Sequence, residues 1–163
     1  MRSLIALCLL LAGPAAAQTP PEGLTWVALR DLNGMYDDDR EPENRPPLLW
    51  SAPEGMLRAV EVNGDGVADW LMDYEAAGQS RWCGTGGCLM RLFVSTPDGL
   101  RQVFATQAFD LTFEGDEVVA HAHHIYCSLE SPGDCRVRMR LEGDRLVPVE
   151  DSTFEPLGDA SGA

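Results

Sequence analysis

From Leu57 onward, apolar and polar residues alternate with period two, the pattern of strands lying half-buried on a core. Leu57 to Val62 and Val67 to Tyr74 are two such runs around the turn residues Asn63-Gly64-Asp65-Gly66. Cys88 to Ser95 carries apolar residues on both alternating faces, which predicts a strand covered on both sides. Leu100 to Thr106 follows the turn Thr96-Pro97-Asp98-Gly99, and Glu117 to Ile125 follows Glu114-Gly115-Asp116. Arg136 to Glu142 places Val137, Met139 and Leu141 on one face, and Gly143-Asp144 turns it back as a hairpin into Arg145 to Val149. The expected fold is mainly β: a small antiparallel meander of about seven strands curled into a barrel or sandwich.

The chain ahead of Leu57 is patterned differently. Leu24, Val27, Ala28, Leu32 and Met35 recur at helical spacing and Asn33-Gly34 is a stop, so a short N-terminal helix is expected. The stretch from Asp37 to Pro47 is acidic and broken by Pro42, Pro46 and Pro47, and reads as a loop. Its aspartates, with Asp31 and Asn33, form a second cation candidate that lacks the glycine a tight calcium turn needs. Met1 to Ala17 has the three parts of a cleavable signal peptide: Arg2, an apolar run from Leu4 to Leu11, and the ending Ala15-Ala16-Ala17. That run is too short to span a bilayer, and no later segment approaches the necessary length, so no membrane insertion is expected. The organisation expected is a signal peptide at 1–17, a helix and acidic loop at 18–50, a disulfide-braced β domain at 51–150 and a tail at 151–163.

Charge narrows the partners. With 26 acidic and 12 basic residues the formal net charge is -14, and every basic residue is an arginine. Such a surface repels nucleic acid and anionic membranes and attracts cationic proteins or divalent cations. An export signal implies a periplasmic or secreted protein in an oxidising compartment. There the four cysteines beyond the signal, Cys83, Cys88, Cys127 and Cys135, form two disulfides. Three connectivities exist; close spacing and the intervening glycines favour Cys83 with Cys88 and Cys127 with Cys135.

Two stretches carry candidate metal chemistry. In Glu61-Val62-Asn63-Gly64-Asp65-Gly66-Val67-Ala68-Asp69, side-chain oxygens fall at positions one, three, five and nine, with a glycine at six and the Val67 carbonyl at seven. That spacing wraps hard oxygens about one point, as Ca2+ requires. The segment resembles the loops of FG-GAP/VCBS-type repeats, dockerins and EF-hands. More loosely, Leu57 to Val149 resembles exported bacterial proteins that pair one such loop with a C-G-x-x-G-C element, here Cys83 to Cys88. The resemblance implies a fold and no activity. Position one is glutamate and position twelve is Met72 in place of the bidentate EF-hand glutamate, so weak affinity is expected, about 10⁻⁴ to 10⁻³ M. A metal-free hairpin turn uses the same residues equally well.

The second stretch is His121-Ala122-His123-His124, which holds all three histidines. On a strand, His121 and His123 share a face about 7 Å apart, within reach of one zinc or copper ion, while His124 points the other way. Other chemistry is missing its parts: CGTGGC has the wrong spacing for a redox pair, lacks the lysine of a phosphate cradle, and no Gly-x-Ser-x-Gly elbow occurs. Arg136, Arg138 and Arg140 are expected to pair with neighbouring carboxylates, and Trp26, Trp50, Trp70 and Trp82 to serve as core or rim. The function expected is that of a monomeric, non-enzymatic exported binding or structural module, braced by two disulfides and a weak calcium loop, with a basic protein as partner. The alternatives are a periplasmic inhibitor of a basic wall-degrading enzyme such as lysozyme, and a zinc or copper protein using His121 and His123.

Overall fold

Residues 18–34, 47–78, 80–124 and 133–149, with the backbone of Glu155–Pro156, are described by a computed structural model. The candidate signal, the acidic loop from Asp37, Cys127 and most of the tail lie outside the described residues. Helix α1 spans Glu22–Gly34 and buries Leu24, Ala28, Leu29 and Leu32. These sit one and two turns apart, so a single stripe faces inward.

Two antiparallel sheets follow. The first contains β1 (Leu57–Val60), β2 (Asp69–Asp73), β3 (Cys83–Gly84), β4 (Gly87–Thr96) and β5 (Gly99–Ala108). Strand β4 is its axis, flanked on one side by β2 and then β3 and on the other by β5. The second sheet contains β6 (Asp110–Glu114), β7 (Glu117–Ala122), β8 (Cys135–Glu142), β9 (Arg145–Pro148) and the two-residue β10 (Glu155–Pro156), in the order β6-β7-β8 with β9 and β10 on β8. The sheets do not close into a barrel. The chain passes from one to the other at Phe109, between β5 and β6, where the Phe109 amide donates to the His121 carbonyl at 2.8 Å.

Alternation along β2 and β4 explains the layering. Leu71, Met90, Leu92 and Val94 point toward the second sheet and share a core with Leu111, Val118, Ala120 and Met139. Trp70, Met72 and Phe93 point oppositely and pack with Leu24, Ala28 and Leu32 of α1. The double coverage expected of Cys88 to Ser95 is therefore present, with α1 as the second cover. Each fully buried aliphatic side chain contributes about 1.5 to 3 kcal/mol.

The expected hairpins form at Pro97-Asp98, Gly115-Asp116 and Gly143-Asp144. Strand β6 was not expected, because Leu111 and Phe113 are its only apolar residues, too short a signal to separate from a loop. A bulge between the Leu92↔Phe104 and Phe93↔Gln102 pairs leaves Val103 as the extra residue of β5. Cys83 and Cys88 are directly opposite in the β3–β4 hairpin and form a disulfide. Closing so small a ring contributes about 2 kcal/mol by loop entropy. Cys135 is also disulfide-bonded, with a partner outside the described residues.

Candidate functional site

The Asn-Gly-Asp-Gly segment joins β1 to β2, whose ends meet at the Val60↔Asp69 pair. Gly64 and Gly66 adopt φ of 73° and 77°, which reverse the chain twice within the loop. Its carboxylates accept hydrogen bonds from the loop's own amides. Glu61 accepts from Gly64 N–H at 2.8 Å and Gly66 N–H at 3.2 Å, and Asp65 accepts from Val67 N–H at 2.7 Å. Asn63 donates to Asp65 at 2.9 Å and accepts from its amide at 3.1 Å. Asp69 is fully buried and accepts from Val62 N–H at 2.9 Å and Ser95 N–H at 2.8 Å. The Ser95 hydroxyl in turn donates to the Ala68 carbonyl.

Burial pushes the Asp69 carboxyl above the usual carboxylate value; the two amides pull it back, and the charges of Glu61 and Asp65 push it up further. Asp69 thus faces inward as a staple between the turn and the end of β4. The five positions Glu61, Asn63, Asp65, Val67 and Asp69 all lie in or at the end of this turn, where Glu61, Asn63 and Asp65 accept from loop amides and Asp69 accepts from Val62 and Ser95.

A different group gathers at the open end of the second sheet. Ala122 pairs with Cys135 as the last rung between β7 and β8, so His123 and Asp134 follow on opposite arms of that hairpin. Strand β7 ends at Ala122, and His124 lies in a tight turn beyond it. Strand alternation therefore stops before His123, and the expectation that His124 points away from it does not apply. One ligand atom each from His123, His124 and Asp134 lie within 4.8 Å of one another, the only such trio of histidine, cysteine or acidic residues among the described residues. The His123 and His124 rings stand 3.9 Å apart.

His121 is not in that group. Its ring packs on Phe109 at 5.0 Å, its Nε2 is buried without a hydrogen-bond partner among the described residues, and Phe109 also lies 6.4 Å from His123. No signal in the sequence marked Asp134; it becomes visible only once the β7–β8 register is known.

A third polar cluster ties α1 to the first sheet. The Tyr74 hydroxyl donates to Asp31 at 2.5 Å, and Arg91 meets the same carboxylate oxygen at 2.8 Å while its guanidinium lies 5.5 Å over the Tyr74 ring. Asp31 and Asn33 were cation candidates; Asp31 is committed to this cluster, and Asn33 exchanges two hydrogen bonds with the Leu49 backbone at 2.8 and 3.0 Å. Burial first, and then the Asp31 carboxylate, push the Tyr74 phenol well above 10. Because the folded value is raised, the contribution of Tyr74 to stability is intact below pH 10 and is lost as pH climbs through that raised value. In an absorbance titration, one of the three tyrosines should therefore resist ionisation until the protein unfolds. That late component should be missing from Tyr74→Phe; three tyrosines ionising together near pH 10 in the native protein would contradict the geometry.

Two of the three stripe arginines pair as expected: Arg138 with Glu114 at 3.0 Å and Glu117 at 2.8 Å, and Arg140 with Asp116 at 3.0 Å and Glu117 at 2.9 Å. The tryptophans divide. Trp70 is core and Trp82 stacks 4.8 Å from Tyr74, whereas Trp26 and Trp50 are 63% and 88% exposed. Near Trp26, an apolar groove of about 590 Å³ runs between the start of α1 and the β4–β5 hairpin, lined by Leu24, Val27, Val67, Phe93 and Leu100. No helix among the described residues is long and apolar enough to cross a membrane. No protein-family model, curated protein or solved structure matches the chain.

Proposed function

We propose that this protein is an exported, non-enzymatic binding module that docks an apolar side chain of a positively charged partner protein in the groove between α1 and the β4–β5 hairpin. The observation that carries this reading is the chemistry of the groove and its border. Val67, on the calcium-like turn, is 54% exposed at its edge, where a solvated valine costs burial free energy that a partner would recover. Exposed Glu22, Asp65 and Asp98 lie within two residues of lining positions along the chain, against one exposed basic residue, Arg101, so acidic residues predominate among the slot's exposed chain neighbours. An acidic border steers a cationic protein and an apolar centre holds it. The Cys83–Cys88 disulfide suits an oxidising compartment.

Calcium enters this reading only as a ligand that would stiffen the Glu61–Asp69 turn. A rise in melting temperature at millimolar calcium is the result that would add it.

Calorimetry of the whole protein against lysozyme, as a cationic wall-degrading enzyme, and against an amphipathic lysine-leucine peptide tests the proposal. Binding to at least one of them should fall steeply with added salt and weaken about fivefold in Val67→Ser. Combined Glu22→Arg and Asp98→Arg should abolish it. Absence of binding by both probes at low salt, or binding indifferent to the charge reversals, would overturn the proposal. A loss of lysozyme activity on binding would make the module an inhibitor.

A further inference from the structure

We infer that His123, His124 and Asp134 bind a divalent transition metal ion, zinc or copper(II), at the base of the β7–β8 hairpin. The argument begins with register. The Ala122↔Cys135 rung is the last of the β7–β8 ladder, and Cys135 is both fully buried and disulfide-bonded. His123 and Asp134 are thus presented by two arms fixed at their roots, and His124 follows His123 directly.

The donor set then selects the metal. Two imidazole nitrogens and one carboxylate oxygen suit zinc and copper(II), whereas calcium and magnesium prefer oxygen alone. A metal bound at about 2.0 to 2.1 Å holds tetrahedral donors about 3.3 Å apart, so atoms already within 4.8 Å need only small side-chain rotations to converge. All three residues are partly buried, so they are neither sealed from an incoming ion nor fully hydrated competitors for it. Three protein ligands leave a coordination position for water or for a group on a partner. Phe109 covers the His121 side of His123, which leaves His121 outside the set and makes it a control.

This site stands apart from the proposed groove, which is lined by α1 and by elements of the first sheet, and either can fail without the other. Metal-stripped full-length protein should take up one equivalent of zinc in a chelator-competition titration, and copper(II) more tightly, following the ordinary stability series. His124→Gln and Asp134→Asn should each weaken zinc binding by roughly one to two orders of magnitude. His123→Gln with His124→Gln should abolish binding, and His121→Gln should leave it unchanged. The copper(II) electron paramagnetic resonance spectrum should show nitrogen coupling that disappears in the double variant. Thermal melts of the metal-free variants keep the test independent of folding, since none removes a core side chain. No zinc uptake by the parent, or uptake retained in the double variant, would overturn the assignment, as would uptake lost in His121→Gln at unchanged metal-free stability.

Discussion

Gly87→Ala should deprive the protein of its cooperative unfolding transition or leave it only marginally folded. Gly87 opens β4 with φ of 92°, and a Cβ there would lie 2.1 Å from the Ala108 carbonyl oxygen, 2.3 Å from its carbon and 2.7 Å from the Phe109 nitrogen. All three are backbone atoms of the β5–β6 crossing, so no side chain can rotate away. Relief requires β5 to separate from β4 at the Cys88↔Ala108 pair, where Ala108 is fully buried in the core between the sheets. The left-handed backbone alone costs an alanine about 1 to 2 kcal/mol. With the strand separation added, the loss should reach about 4 to 5 kcal/mol or more, most of the stability of an ordinary domain. Gly115→Ala is the control: its φ is 67°, but an added Cβ meets nothing within 4 Å, so it should lose only the backbone term. Urea unfolding of both variants decides the matter, and equal midpoints would show that the β4–β5 approach is looser than described.

Asp69→Ala should have the next largest effect. Removing that carboxylate strands the Val62 and Ser95 amides in the interior. At about 1 to 3 kcal/mol for each orphaned donor, the loss is about 2 to 6 kcal/mol, a fall in melting temperature on the order of 10 °C. Asp69→Asn keeps the shape but turns an N–H group toward one of the two donors, so its loss should be about half as large. The sign of the pH dependence follows from burial. A carboxyl whose folded value is raised contributes its stability in full below the unfolded value of 3.8 and loses it as pH rises through the folded value. The stability gap between parent and Asp69→Asn should therefore be widest in acid and narrow as pH climbs. A gap that widens with pH would mean that the two amides outweigh burial at this carboxylate. Were calcium binding the main task of Asp69, both substitutions would be nearly silent in chelator; as an internal staple, it should show its full effect there.

Much of the architecture is legible residue by residue. Period-two alternation located β1, β2, β4, β5, β7, β8 and β9 to within a few residues, because a strand with one or two buried faces must repeat its apolar positions along the pleat. The turn residues supplied the hairpins, and the stripe on α1 supplied its inward face. Legibility stopped wherever a residue's task depends on a distant partner. Asp31, Asp65 and Asp69 look alike in the chain, yet one holds Tyr74 and Arg91, one holds its own turn, and one is buried under β4.

The calcium-like turn and the histidine run show the same division. Spacing alone brings Glu61, Asn63, Asp65 and Asp69 together, since they are neighbours in one loop, but it cannot tell whether their oxygens face outward to an ion or inward to amides. For Asp69 the inward partner includes Ser95, which the β2–β4 pairing brings to it on the adjacent strand. Likewise, three histidines are evident in the chain, and which of them can act together depends on where β7 ends and on Asp134 arriving from the opposite arm. Local periodicity and turn chemistry are short-range properties that the sequence determines by itself. The choice of partner for a carboxylate or an imidazole is a long-range one, made only when the sheets pack and remove water from one side of it.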